Sequence, residues 1–224
     1  MKYHKAIIFD FDGTVVDTEP LHGAAHIESF REKGVEIDYQ HYLDHFAGQF
    51  RSERVMQLFE EHGKPITWDE VEAMHDKKTE SYGKLDFVNM CSYPGVIDLI
   101  KQALDNDIQI AICSGSPRKD FYASFEHIDK GELHTHFNHI VLREDVQQPK
   151  PDPEGFLLAA ARLQLDPADC IAIEDSPAGV TAAKAAGMHT IAVTNTHNAS
   201  QLQHADLVVD SLEGVLAKLA IKVA

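Results

Sequence analysis

From Tyr93 to the C-terminus, short apolar runs alternate with stretches of helical periodicity, a pattern few folds can accommodate. Ile108-Gln109-Ile110-Ala111-Ile112-Cys113, His139-Ile140-Val141-Leu142, Cys170-Ile171-Ala172-Ile173, Thr190-Ile191-Ala192-Val193 and Leu207-Val208-Val209 read as strands. Most are apolar at nearly every position, the habit of strands covered on both faces. Between them lie helical segments. One is opened by Pro94-Gly95 and runs through Leu104, one spans Glu154 to Leu163, and one spans Ala178 to Ala186, closed by Gly187. Such alternation implies right-handed βαβ units, and hence a parallel sheet with helices on both faces. The expected fold class is α/β, with a doubly wound parallel sheet.

Near the N-terminus, Ile7-Ile8-Phe9 is another buried-strand run, and it stops at Asp10. Asp12 follows at period-2 spacing, and Gly13 lets the backbone turn sharply. Open α/β sheets bind ligands at the carboxyl ends of their strands, near a switch point. Two carboxylates there can share a cation and divide a reaction, one attacking or ligating while the other moves a proton. Asp-Gly is also a common turn signal, so the spacing alone leaves a purely structural role open.

After Val16 the strand signal vanishes until Asp86. Leu21, Ala24, Ala25, Ile27 and Phe30 fall at helical spacing between Glu19 and Lys33, with Gly34 as a stop. Arg51 to His62, ending at Gly63, and Trp68 to Tyr82, ending at Gly83, read the same way, with Trp68 anchoring its helix. The expected organisation is a core from residues 1–16 and 87–224, interrupted by an all-helical insert over residues 17–86.

Other chemistry-bearing residues sit beside strand ends. Ser114 closes the Ile108–Cys113 run; its hydroxyl and the amides from Gly115 onward can hold a phosphate oxygen. Lys150 lies between Pro149 and Pro151, which fix its backbone. Glu174 and Asp175 end another strand. Adjacent strand residues point opposite ways, so both face one site only if the chain turns there. Ser116-Pro117, Asp152-Pro153 and Ser176-Pro177 each read as an N-cap followed by Pro in the first helical turn. Helix N-termini attract anions.

A net charge of −16 argues against nucleic acid or an anionic membrane as partner. Any phosphate site must therefore build its positive charge locally. Asp10, Asp12, Glu174 and Asp175 together far outweigh Lys150, and like charges a few Å apart cost several kcal/mol even at an effective dielectric of about 20. A divalent cation would offset this, and all-oxygen donors favour Mg²⁺ over zinc. His134, His136 and His139 lack the companions of a zinc site. No apolar run is long enough to span a membrane, and Met1-Lys2-Tyr3-His4-Lys5 leads directly into a strand without a signal-peptide core. Cys91, Cys113 and Cys170 are widely spaced and read as buried, reduced thiols. A cytoplasmic monomer is expected.

The run Asp10-Phe11-Asp12-Gly13-Thr14-Val15-Val16-Asp17-Thr18-Glu19 resembles the first motif of the haloacid dehalogenase-like (HAD) phosphohydrolases. Ser114, Lys150 and Glu174-Asp175 follow in the family's order. The resemblance implies a Rossmann-like core with a helical cap inserted after the first motif, as in the subfamily of β-phosphoglucomutase and small-molecule phosphatases. It implies Asp10 as nucleophile, forming an aspartyl-phosphate, and Asp12 as general acid/base. Ser114, Gly115 and Lys150 would bind the phosphoryl group. Asp10, the Asp12 carbonyl, Glu174 and Asp175 would hold Mg²⁺. In the insert, the positions of His22, Arg51 and Lys78 resemble those that contact the sugar phosphate in β-phosphoglucomutase. Pro149 departs from the small residue common at that position. The expected activity is a Mg²⁺-dependent phosphatase for a small phosphorylated metabolite such as a sugar phosphate. The alternative is a mutase on the same intermediate, and more remotely an inactive binding module.

Overall fold

The computed structural model describes residues 4–46, 52–82, 90–128, 133 and 136–215, with side chains omitted for residues 78–82. By packing, the chain divides into two compact units, Met1–Asp17 with Phe87–Ala224, and Thr18–Asp86.

The first unit is the expected doubly wound sheet. Six parallel strands, β1 (Ala6–Phe9), β2 (Gln109–Cys113), β3 (His139–Val141), β4 (Cys170–Glu174), β5 (His189–Val193) and β6 (Leu207–Val209), lie in the order β3-β2-β1-β4-β5-β6. The chain builds outward from β1 to β3, then returns to the other side of β1 to lay down β4. That reversal is the switch point where α/β sheets open a crevice. The register brings Phe9 of β1 level with Ile112 of β2 and Ile173 of β4. The residues after these three strand ends therefore emerge together.

Period-2 alternation separates two cores. Ile7, Phe9, Ile110, Ile112, Ile171 and Ile173 point to one face, where α5 (Val96–Asp105) and α6 (Arg118–Phe125) contribute Leu99, Ile100, Phe121 and Phe125. Ala6, Ile8, Ala111, Cys113, Cys170 and Ala172 point to the other, against Phe156, Ala159 and Ala160 of α7 (Glu154–Arg162) and Ala182 and Ala183 of α8 (Pro177–Ala185). Small side chains on this second face let α7 and α8 pack closely. Gly95 opens α5 at φ 86°, and a Cβ there would meet the backbone of Glu213 at 2.3 Å, so no larger residue fits.

The second unit contains α1 (Glu19–Glu32), α2 (Tyr39–His45), α3 (Ser52–Glu61) and α4 (Trp68–Tyr82) around its own core of Phe30, Val35, Tyr42, Phe46, Val55, Leu58, Phe59, Val71 and Met74. Helix α2 is absent from the sequence reading. Its seven residues bury only Tyr42, too little for a periodic signal, and it is started by Asp38, whose carboxylate accepts from the His41 amide at 2.8 Å. Trp68 does begin α4 but is 49% exposed, so it does not anchor the helix in a core. Cys113 and Cys170 are buried, whereas Cys91 is exposed, contrary to the expectation for all three. Among the described residues no helix is long and apolar enough to cross a membrane.

Candidate active site

The structure gathers four of the side chains singled out above at the carboxyl edge of β1 and β4. Asp10 continues β1 by one residue, its amide donating to Ile173 O at 2.8 Å. Its carboxylate is buried, and the Lys150 ammonium donates to Oδ1 at 2.5 Å. The same ammonium reaches Glu174 Oε1 at 2.6 Å and the carbonyl of Cys113, the last residue of β2, at 2.9 Å. It also stands over the Phe156 ring, 5.0 Å from the centroid, where the face of the ring attracts the cation. Three chain segments thus converge on one cation.

Glu174 and Asp175 both face this centre because the chain turns immediately after β4. Glu174 folds back over the start of α8, where Oε2 accepts from the amides of Asp175 at 3.0 Å and Ser176 at 3.1 Å, and from the Ser176 hydroxyl at 3.0 Å. Ser176 caps α8 by accepting from the Gly179 amide at 3.1 Å, with Pro177 in the first turn as its sequence predicts. The Glu174 carboxylate has room only because Gly179 lacks a side chain, since a Cβ there would lie 1.7 Å from Oε1.

Asp175 is held at both oxygens. Thr14 donates to Oδ1 at 3.2 Å and Thr196 donates to Oδ2 in a short contact. Gly13 adopts φ 83°, and a Cβ on it would strike Asp175 Oδ2 at 2.3 Å. Glycine is therefore required both for the turn after Asp12 and for the approach of Asp175.

Asp12 is directed differently. Its Oδ2 accepts from Ser114 Oγ at 3.3 Å and from Ser116 Oγ in a short contact. Ser114 Oγ in turn accepts from the Ser116 amide at 2.9 Å. The predicted cap role of Ser116 does not hold. The cap residue of α6 is Pro117, and the Arg118 amide donates instead to Glu144 at 2.8 Å. This leaves the Ser116 hydroxyl to Asp12. Asp152 is likewise displaced as cap residue by Pro153, though its carboxylate still accepts from the Glu154 amide at 3.0 Å. Gly115 is exposed beside these serines.

Electrostatics follow from the crowding. Burial, with Glu174 and Asp175 adding to it, pushes the Asp10 carboxyl well above the usual carboxylate range, against the opposing pull of Lys150. Burial and Glu174 push Asp175 to about 8, against the hydrogen bond from Thr196. Burial alone would lower the Lys150 pKa, but Asp10 and Glu174 outweigh it and hold the amine protonated. One ammonium does not neutralise three buried carboxyls, and further positive charge would restore Asp10 and Asp175 to the ionised form. Asp10, Glu174 and Asp175 each offer an oxygen within 4.8 Å of the others, so a hard divalent cation fits both the donor chemistry and the charge deficit. Among the described residues no other cluster of this kind occurs.

The sequence reading gives Ser116 only a cap role, and gives Thr14 and Thr196 none. Thr14 lies inside the first motif, and Ser116 stands two residues after Ser114. Thr196 carries no signal beyond following a strand that ends on the same edge. In the helical unit, His22 lies near the start of α1, half-buried. Lys78 falls on α4, its side chain outside the description. Arg51 and His134 lie outside the described residues.

Comparison with known proteins agrees with this architecture. The model of the haloacid dehalogenase-like hydrolases matches residues 7–193. This chain belongs to that family. It is 27% identical over 212 residues to validoxylamine A 7'-phosphate phosphatase of Streptomyces hygroscopicus subsp. limoneus, covering 95% of this chain and 96% of the relative. A crystal structure of CbbY from Rhodobacter sphaeroides in complex with xylulose-(1,5)bisphosphate superposes with a TM-score of 0.80 at 28% identity, covering 94% of this chain and 96% of that one. β-Phosphoglucomutase from Clostridium difficile superposes at 0.77 and 27% identity, with 96% of each chain covered. Within the family, the chain sides with the CbbY and β-phosphoglucomutase-like members.

Proposed function

We propose that this family member is a Mg²⁺-dependent phosphatase acting on a small phosphorylated metabolite, a sugar phosphate, through a phosphorylated Asp10. The observation that carries the reading is the contact of Lys150 with both Asp10 and Glu174 beside Asp175, in a buried pocket short of positive charge. A nucleophilic carboxylate needs neighbours that keep it ionised and a cationic cradle for the incoming phosphate.

In this reading an Asp10 carboxylate oxygen attacks phosphorus, the bond to the leaving oxygen breaks, and Asp12 gives that oxygen its proton. Asp12 then takes a proton from water as the water attacks phospho-Asp10, releasing inorganic phosphate and restoring both carboxyls. Lys150 and the amides around Ser114 and Gly115 hold the transferring group in line. Asp10, the Asp12 carbonyl, Glu174 and Asp175 would hold Mg²⁺, which when bound offsets the charge repulsion and polarises the phosphoryl oxygens. The helical unit, through His22, Arg51 and Lys78, would read the sugar. A phosphatase among the relatives and a bisphosphate complex among the solved neighbours support this substrate class.

The second reading is a mutase, in which a sugar hydroxyl rather than water accepts the phosphoryl group; the likeness to β-phosphoglucomutase supports it. The test incubates pure protein and Mg²⁺ with a sugar-phosphate panel that includes β-glucose 1-phosphate primed with glucose 1,6-bisphosphate. Inorganic phosphate is the expected product. Glucose 6-phosphate without phosphate release would establish the mutase, and turnover of nothing would leave the binding module.

A further inference from the structure

The loop after β5 reaches across to both turns that carry the candidate ligands. Asn195 Nδ2 donates to the Gly13 carbonyl at 2.8 Å, fixing the turn that follows Asp10 and Asp12. The next residue, Thr196, donates its hydroxyl to Asp175 Oδ2, and its methyl group packs so closely that a Cβ on Gly13 would meet Cγ2 at 2.9 Å. His197 Nδ1 stands 3.1 Å from the Asp175 carbonyl and 2.9 Å from Thr196 Oγ1. A carbonyl only accepts, so the proton of His197 resides on Nδ1 and points toward this pair. Thr196 Oγ1 can then accept from His197 while its own hydrogen goes to the Asp175 carboxylate. Three consecutive side chains from one loop thereby tie the turn after β1 to the turn after β4.

We propose that Thr196 is a positioning residue for the divalent-cation site, with Asn195 and His197 completing a clamp that sets the separation of Asp10 and Asp175. The inference rests on the reading of the Asp10, Glu174 and Asp175 cluster as a cation site. Thr14 holds one Asp175 oxygen and Thr196 the other, so the carboxylate plane is fixed before any ion arrives. Hydrogen-bonded partners of metal-ligating carboxylates commonly change metal affinity 10–100-fold when removed. The clamp donates hydrogen bonds and contributes no ligand atom itself.

The experiment measures Mg²⁺ binding to the purified full chain by titration calorimetry, without substrate. Thr196→Val removes the hydroxyl but keeps the shape, and should weaken Mg²⁺ about tenfold. Thr196→Ser keeps the hydroxyl and should stay within about threefold of the parent. A loss in the serine variant equal to that in valine would show that packing rather than the hydroxyl matters, and would overturn the assignment. Asp175→Asn serves as the control. If it binds Mg²⁺ like the parent, the cation reading itself fails. If it loses binding while Thr196→Val stays within about twofold, the clamp alone is wrong. Should Thr196→Val fail to fold, Asn195→Ala, which leaves every Asp175 contact in place, should still weaken Mg²⁺ about threefold, and unchanged affinity there refutes the clamp.

Discussion

Lys150 and Asp10 stand 140 residues apart in the chain, and Nζ meets Oδ1 at 2.5 Å. The same ammonium is 2.6 Å from Glu174, with both carboxylates buried. Removing one partner of a buried ion pair leaves its counterpart uncompensated, which costs about 3–5 kcal/mol. Lys150→Met should therefore lower the urea-unfolding free energy by about that much in the absence of divalent cation, besides abolishing turnover. A loss below about 1 kcal/mol would mean that the carboxyls do not depend on the ammonium.

Asp10→Asn should behave in the opposite way in stability. Burial and the neighbouring carboxyls already push the Asp10 carboxyl well above its usual range, so a neutral amide suits the apo pocket. Phosphate release should fall to background while the melting temperature is kept or raised. Retained phosphate release would refute Asp10 as the nucleophile.

Much of the fold was legible because its signals are local. Ile7–Phe9, Ile110–Cys113 and Cys170–Ile173 are apolar at every position, and only a strand buried on both faces calls for that. Given a parallel sheet, a carboxylate just past such a strand must sit at the ligand edge, which is why Asp10 and Asp175 could be singled out. The facing of Glu174 was not legible, since it depends on the turn after β4 and on the room that Gly179 leaves for its carboxylate five residues later. Hydroxyl partners were hidden for a related reason. A serine before proline reads as a helix cap, yet Glu144 takes that position at α6 and releases Ser116 to Asp12. Thr196 belongs to a loop whose only relevance is where β5 ends, and α2 was too short to show a period.

The dependence on Gly179 can be checked directly. Alanine suits a helix interior better than glycine by about 1 kcal/mol, so on propensity alone Gly179→Ala should stabilise. Its Cβ would stand 1.7 Å from Glu174 Oε1 and 2.3 Å from Oε2, however. Glu174 must then leave its place over the start of α8 and release Lys150. The expected net result is destabilisation by about 1–3 kcal/mol, read from the urea midpoint, together with weaker Mg²⁺ binding. A stabilised variant would show that the carboxylate can relocate without cost.

Ser116 offers a test of Asp12 as proton donor. The two serine hydroxyls fix the Asp12 carboxylate, and the Ser116 contact is the shorter. Ser116→Ala should lower kcat on a sugar phosphate about tenfold, part of the 10²–10⁴-fold that acid–base catalysis supplies. The loss should shrink on an aryl phosphate, whose leaving group needs little protonation. Equal losses on both substrates would place Ser116 with phosphate binding rather than with proton transfer.

Away from the site, Asp206 ties α8 and β5 to the start of β6. Its Oδ1 accepts from Lys184 Nζ at 2.6 Å and its Oδ2 from the Thr190 amide at 2.8 Å. Burial pushes the carboxyl up, but the Lys184 and Thr190 hydrogen bonds, with the Lys184 and His189 charges, outweigh it and hold the group below its ordinary value. A carboxylate with a depressed folded-state pKa binds its proton more readily when unfolded. Its stabilisation is therefore fully present above the unfolded value of about 3.9, and is lost as pH falls through the lower folded value. Asp206→Asn can keep an acceptor for the Thr190 amide, but it removes the charge and replaces the oxygen that accepts from Lys184 with an NH2 donor. At about pH 7 it should be less stable than the parent by up to about 1 kcal/mol, and the gap should close toward about pH 3. Urea unfolding of both proteins across that range checks the sign, and a gap that persists or widens in acid would show that the charge of Asp206 contributes nothing to holding these elements together.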